Sequence, residues 1–169
     1  MRTVTLAAAA ALAVGCGGGS KTAPKDSPSD GTPAWLVEGT GAFRGEGNKK
    51  LQGVGVSTGV AEPRARRRQA DGAAREQLQG AVDALAQALA KAGDSPQDVT
   101  TVTSLARKAA GQVATIRDHW VTPDGDERAL AVVELDAMKR ALQGVDGDER
   151  VRQEMFANLD RAFEQVATK

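Results

Sequence analysis

The apolar positions change period several times along the chain, and each change marks an element. From Leu51 to Ser57 they alternate as in a strand, with Val54 and Val56 on one face and Gly53 and Gly55 on the other. From Pro63 the period lengthens. Ala70, Ala74, Leu78, Val82, Leu85 and Leu89 recur every three or four residues, an amphipathic helix opened by proline and closed at Gly93. Gly39 to Arg44 reads as a short strand, joined by the turn Glu46-Gly47-Asn48 to the glycine-bearing one. Ser95-Pro-Gln-Asp98 reads as a helix start, with Ser95 as N-cap and Val99, Val102, Ala106, Ala109 and Val113 on one face of the helix that follows. Strand periodicity returns at Ala114, Ile116 and Trp120, against Thr115, Arg117 and His119. Thr122-Pro-Asp-Gly-Asp126 is then a turn, and Arg128 to Leu135 the returning strand. A short helix over Ala137 to Leu142 and a terminal amphipathic helix within Asp148 to Thr168 complete the chain.

The order β-β-α-α-β-β-α-α predicts an α+β fold. It is a two-layer sandwich whose mostly antiparallel four-stranded sheet is built from two hairpins and packed against helices. If Val54 and Val56 point at those helices, Gly53 and Gly55 form a bare strip on the open face. Glycine inside a strand often marks close approach by another backbone, so this strip is the expected docking place for a partner or a second copy. Arg64, Arg66, Arg67 and Arg68 would rim it. The alternatives are that the terminal helix folds over the strip, or that the glycines serve only to let the sheet twist. Trp120 is expected to pack against the helices together with Ile116.

The N-terminus follows different rules. Arg2 precedes a short apolar run, Val4 to Gly15, well below the ~20 residues that span a bilayer. The run ends in Ala13-Val14-Gly15-Cys16, which resembles the lipidation signal of bacterial lipoproteins. That resemblance implies that residues 1–16 are a signal peptide and that Cys16 becomes the acylated first residue of the mature protein. Gly17 follows the cysteine where aspartate is associated with inner-membrane retention, so the outer membrane, facing the periplasm, is the expected address. Residues 17–32 are small, polar and proline-bearing, with no apolar period, and read as a tether.

Composition narrows the chemistry. Twenty-two basic and 22 acidic residues balance, so overall charge gives no argument for nucleic acid. With no Tyr, three Phe and two Trp, the core must be small and closed through Ala and Gly. A single cysteine excludes an intrachain disulfide and a cysteine-based zinc site. Gly53 to Gly59 superficially matches a nucleotide loop, but the first glycines lie inside the strand and the helix opens only later. His119 is the one histidine, reads as a surface residue on the polar side of its strand, and has no second ligand type beside it. Asp-Gly-Asp-Glu-Arg occurs twice, at 124–128 and 146–150, as a hairpin turn and as a helix start. The four arginines at 64–68 are either a solvated face or an anion contact. No metal or cofactor is expected.

Taken together, these landmarks resemble the Lpp-twenty family of bacterial lipoproteins, related to the N-terminal domain of the flagellar assembly protein T. The similarity rests on Pro33 and Trp35, on Gly53-Val54-Gly55, and on Ala70, Ala73, Ala74, Arg75 and Leu78. Trp120, Asp124-Gly125 and the strand Ala129-Leu-Ala-Val-Val133 complete it, with Ala129 standing where the family usually carries an aromatic residue. It spans residues 33–142 and leaves 143–169 as a C-terminal helix packed on the domain. The resemblance implies a membrane-associated lipoprotein and brings no catalytic residues with it. The function expected is a lipid-anchored, non-enzymatic envelope protein that binds an envelope protein or polymer, with no nucleic acid. The alternatives are a periplasmic enzyme or nucleotide-binding protein with an unrecognised site, and a structural spacer.

Overall fold

The computed structural model describes residues 31–45, 47–93 and 97–168. The signal segment, Cys16, the tether up to residue 30, the turn residue Glu46 and the expected N-cap Ser95 lie outside the described residues. The elements run α1 (Ala34–Glu38), β1 (Gly41–Arg44), β2 (Lys49–Ser57), α2 (Pro63–Ala92) and α3 (Val99–Val113). They continue with β3 (Thr115–Val121), β4 (Glu127–Glu134), α4 (Leu135–Gly144), α5 (Glu149–Val166) and β5 (Ala167–Thr168). The class is α+β, with five helices and a five-stranded mixed sheet.

Two hairpins, β1–β2 and β3–β4, meet through antiparallel pairing of β2 with β4, giving the order β3-β4-β2-β1-β5. The expected four-stranded sheet gains a fifth strand because α5 ends in an extended pair, Ala167 and Thr168. These two residues lie parallel to Ala42 and Phe43 of β1. They are too short a strand to leave a periodic signal.

Local chemistry sets the helix ends. Glu62 is the N-cap of α2, and its carboxylate accepts from the N–H of Arg64 (2.9 Å) and of Ala65 (2.5 Å), with Pro63 at the first position. Asp98, not Ser95, caps α3, accepting from the N–H of Thr101 at 2.8 Å. Of the face expected on α3, Val102, Ala106 and Ala109 are buried, but Val99 is 45% exposed.

One core lies between the sheet and α2 to α5. Leu51, Ala129, Ala131 and Val133 from the sheet meet Ala70, Ala74, Leu78, Val82 and Leu85 of α2, with Leu135, Met138, Leu142, Leu159 and Phe163 behind them. Each large side chain fully withdrawn from water contributes roughly 1.5–3 kcal/mol. A second, smaller cluster occupies the other face: Trp35, Leu130 and Val132, with Leu36, Val54 and Trp120 packed against it.

This division inverts the expected facing of β2. Cross-strand partners share a face, and Gly53 pairs with Ala131 and Gly55 with Ala129, both core residues. Val54 instead pairs with Leu130, on the other side. Trp120 also leaves the helices. Arg117 is an extra residue between Ile116, opposite Ala131, and Asp118, opposite Leu130. This bulge reverses the parity of β3, so Ile116 packs toward the helices while Trp120 joins the second cluster.

Candidate functional site

The glycine strip is closed from within. A Cβ on Gly53 would lie 2.2 Å from the backbone nitrogen of Leu78 and 2.3 Å from the carbonyl oxygen of Ala74. One on Gly55 would lie 2.1 Å from the nitrogen of Ala74 and 2.3 Å from the oxygen of Ala70. The backbone that approaches these glycines is α2 of the same chain. Gly53 and Gly55 are therefore not a docking surface, because only hydrogen leaves room for the helix to lie that close.

The arginines belong to the helix that covers the glycines; Arg66 is largely covered, while Arg67 contacts the same carboxylate from an exposed position. Arg66 Nε lies 3.4 Å from Glu127 Oε2, a carboxylate whose side chain is only 6% exposed, and Arg67 reaches its other oxygen at 4.0 Å. Arg67 Nη2 is also 2.9 Å from Nδ1 of His119, whose Nε2 is 2.6 Å from Asp71 Oδ1. A guanidinium only donates, so Nδ1 accepts and the ring proton sits on Nε2, donated to Asp71. The side chain of His119 is 16% exposed and turned to the helices, not to solvent. The bulge at Arg117 again gives the reason: it places His119 opposite Ala129 on the helix side. Beside this group Ser57 donates to Gln69 at 3.0 Å. Arg66, Arg67, Asp71, His119 and Glu127 thus fasten the first turns of α2 to the end of the sheet. Arg64 and Arg68 remain exposed.

The face left uncovered by α2 to α5 is the one that carries Trp35 and Trp120. The helix α1 lies across it. Trp35 donates from Nε1 to Asp118 Oδ2 at 3.0 Å, over β3. Glu38, at the other end of α1, accepts from Lys50 (3.3 Å) and Gln52 (3.2 Å) on β2. Gln52 is fully buried, and its Oε1 has no hydrogen-bond partner. Beside α1 runs a groove of about 250 Å³ with Leu130 and Val132 as floor and Lys50, Arg117 and Glu134 as rim. Arg117 donates to Glu134 at 2.6 Å. Val37, on the outer side of α1, is 67% exposed.

At the opposite edge of the sheet, charges tie β1 and β2 to α4 and α5. Lys49 Nζ contacts Glu164 (2.9 Å) and Asp160 (3.0 Å), Lys139 contacts Asp160 (2.8 Å), and Arg44 pairs with Glu164. Hydrogen bonds from Lys139 and Lys49 hold the Asp160 carboxyl below its usual range, and those from Lys49 and Arg44 do the same for Glu164. Glu164 and Asp160 in turn raise Lys49. A separate cleft of about 370 Å³ lies between α4 and α5, lined by Leu142, Gln143, Glu149, Arg152, Gln153 and Phe156.

Among the described residues no three His, Cys, Asp or Glu side chains are grouped to hold a metal ion. No helix among them is long and apolar enough to cross a membrane. Sequence reasoning missed the His119–Asp71–Arg67 contact and the open cluster around Trp35. The available signal for the second was volume: Leu130 and Val132 alternate with Ala129 and Ala131 on one strand, and the larger pair needs more room than a face lined by glycine offers. No family model matches this chain, and no curated protein matches it.

Proposed function

We propose that this chain is a lipid-anchored, non-enzymatic lipoprotein of the cell envelope, of the Lpp-twenty kind, whose α+β domain meets another envelope component. The observation that carries the reading is the apolar run ending in Ala13-Val14-Gly15-Cys16. A thiol at that place, after a run too short to span a bilayer, suits acylation and not insertion. Supporting it from the folded part is the sheet face beside Trp35, where Leu36, Val54 and Trp120 are only partly buried. The cluster at His119 gives an enzymatic reading little support, because each of its polar groups already has a partner within the cluster. The outer membrane, facing the periplasm, is the proposed location.

The test is Cys16→Ser. Each buried CH₂ of an acyl chain contributes ~0.8 kcal/mol, and stable anchoring takes at least two chains. The variant is expected in the soluble fraction, without the acyl mass that the parent carries. A Cys16→Ser protein still wholly in the membrane fraction refutes the lipoprotein reading.

A further inference from the structure

We infer that the envelope component met by the open sheet face is the bilayer to which the chain is anchored, so that the domain lies on the lipid surface through Trp120, Leu36 and Val37. The inference rests on the lipoprotein reading and adds an orientation to it.

The first argument is where the chain enters the domain. The described chain begins at Gly31 and passes directly into α1, which lies on the open face and not on the helical one. Only residues 17 to 30 separate Cys16 from that point. Even fully drawn out, so short a stretch reaches no more than about 50 Å. The domain is therefore held near the membrane with the tether attached on its open face, and contact with lipid becomes an intramolecular event at high effective concentration. A contact too weak to recruit a free domain is enough under that condition.

The second argument is chemical. Both tryptophans of the chain stand on this face, Trp35 buried and Trp120 partly exposed, with Leu36, Val54 and the outward-facing Val37 beside them. Tryptophan suits the interfacial layer, where its ring is apolar and its N–H is polar. Two of the basic groups around them are paired in place: Lys50 with Glu38 and Arg117 with Glu134. Asp118 accepts from Trp35 and from the N–H of His119. Arg128 stands in register between Trp120 and Val56, and among the described residues it has no ion pair and a buried Nε without a partner. A guanidinium beside a tryptophan can take a lipid phosphate while the ring enters the headgroup layer. On the helical side Val99 is the large apolar residue of α2 to α5 that stands exposed, and neither tryptophan is beside it.

The experiment uses the full acylated chain in phosphatidylethanolamine–phosphatidylglycerol vesicles, with and without lipid brominated near the headgroup. Tryptophan emission reads this face directly, because both tryptophans lie on it, and subtracting the emission of Trp120→Phe isolates Trp120. The expected result is a loss of Trp120 emission in brominated vesicles. Val37→Glu, a change at an exposed position, should abolish most of that loss without changing co-sedimentation. Equal emission in plain and brominated vesicles from a chain that is acylated and co-sediments overturns the docking while leaving the anchor in place. An unmodified Cys16 in protein recovered from membranes overturns the anchor itself. Emission that changes with the protein-to-lipid ratio but not with bromination assigns the face to a second copy, and also overturns the proposal.

Discussion

Replacing Gly55 by alanine adds one methyl group to the tightest contact in the domain. That carbon would stand 2.1 Å from the nitrogen of Ala74 and 2.3 Å from the oxygen of Ala70, where ordinary contact begins at 3.4 Å. Both neighbours are backbone and cannot rotate away, so α2 itself must withdraw from the sheet by about 1 Å or more. The same helix carries Leu78, Val82, Leu85 and Leu89 into the core, and all of them move with it. Overpacking a core typically costs 1–3 kcal/mol. With no flexible side chain to absorb the strain, Gly55→Ala should reach about 3 kcal/mol, and Gly53→Ala a similar figure. The entropy that alanine removes from the unfolded chain offsets only ~0.4–1 kcal/mol of this. Urea unfolding followed by far-ultraviolet circular dichroism measures the loss. Gly72 and Gly80 supply the control, since they sit in the same helix with nothing within 4 Å of an added Cβ. Alanine there should raise stability by up to ~1 kcal/mol each. An unfolding midpoint of Gly55→Ala equal to that of the parent would refute the close approach.

Arg66→Met should destabilise the domain by about 3 kcal/mol, because the Glu127 carboxylate beneath it keeps only the distant Arg67, and the double variant Arg66→Met/Glu127→Met should be the more stable of the two. Equal losses in single and double variants in thermal melts would sink this account. Asp160 and Glu164, whose folded-state pKa values are depressed, contribute stability that is present above the ordinary carboxylate range of about 4 and lost as pH falls through the folded values. Lys49→Met removes a donor to both, so its melting temperature should fall less steeply in acid than the parent's; parallel curves would show the network to be inert. Trp120→Ala, on the half-open face, should cost less than the ~3–5 kcal/mol usual for a buried aromatic residue, while Trp35→Ala should approach that range, and the reverse order in chemical unfolding would place the bulge at Arg117 wrongly.

The hairpins and long helices were legible because period is a property of consecutive residues. Alternation in Leu51 to Ser57 and the three-to-four spacing of Ala70 to Leu89 survive whatever the rest of the chain does. The two-residue β5 and the five-residue α1 hold too few positions to show a period, and both depend on tertiary contacts: β5 on pairing with β1, α1 on Trp35 reaching Asp118. The bulge at Arg117 is hidden for a related reason. One inserted residue leaves the alternation on each side intact and only breaks its phase, so Trp120 and His119 exchange faces with no change in composition.

Which face of a strand turns inward is a different kind of question, and period cannot answer it. Val54 and Val56 are the more apolar pair, and hydropathy alone would bury them. What decides the matter here is room, not hydropathy. The first turns of α2 present Ala70 and Ala74 to the sheet, and Ala129 and Ala131 face them from β4. An interface so poor in side-chain volume closes only if the backbones come together, and glycine at 53 and 55 is what permits it. Placing the valines there instead would hold the helix away and open voids around the alanines. The larger residues then fall to the other side, where Trp35, Leu130 and Val132 form a buried cluster whose flanking residues Leu36, Val54 and Trp120 stay partly exposed. The partly exposed apolar face is thus a consequence of the glycine-lined one. A sheet that gives its bare side to its own helix keeps its bulky side for whatever lies outside, and the chain enters the domain on that same side.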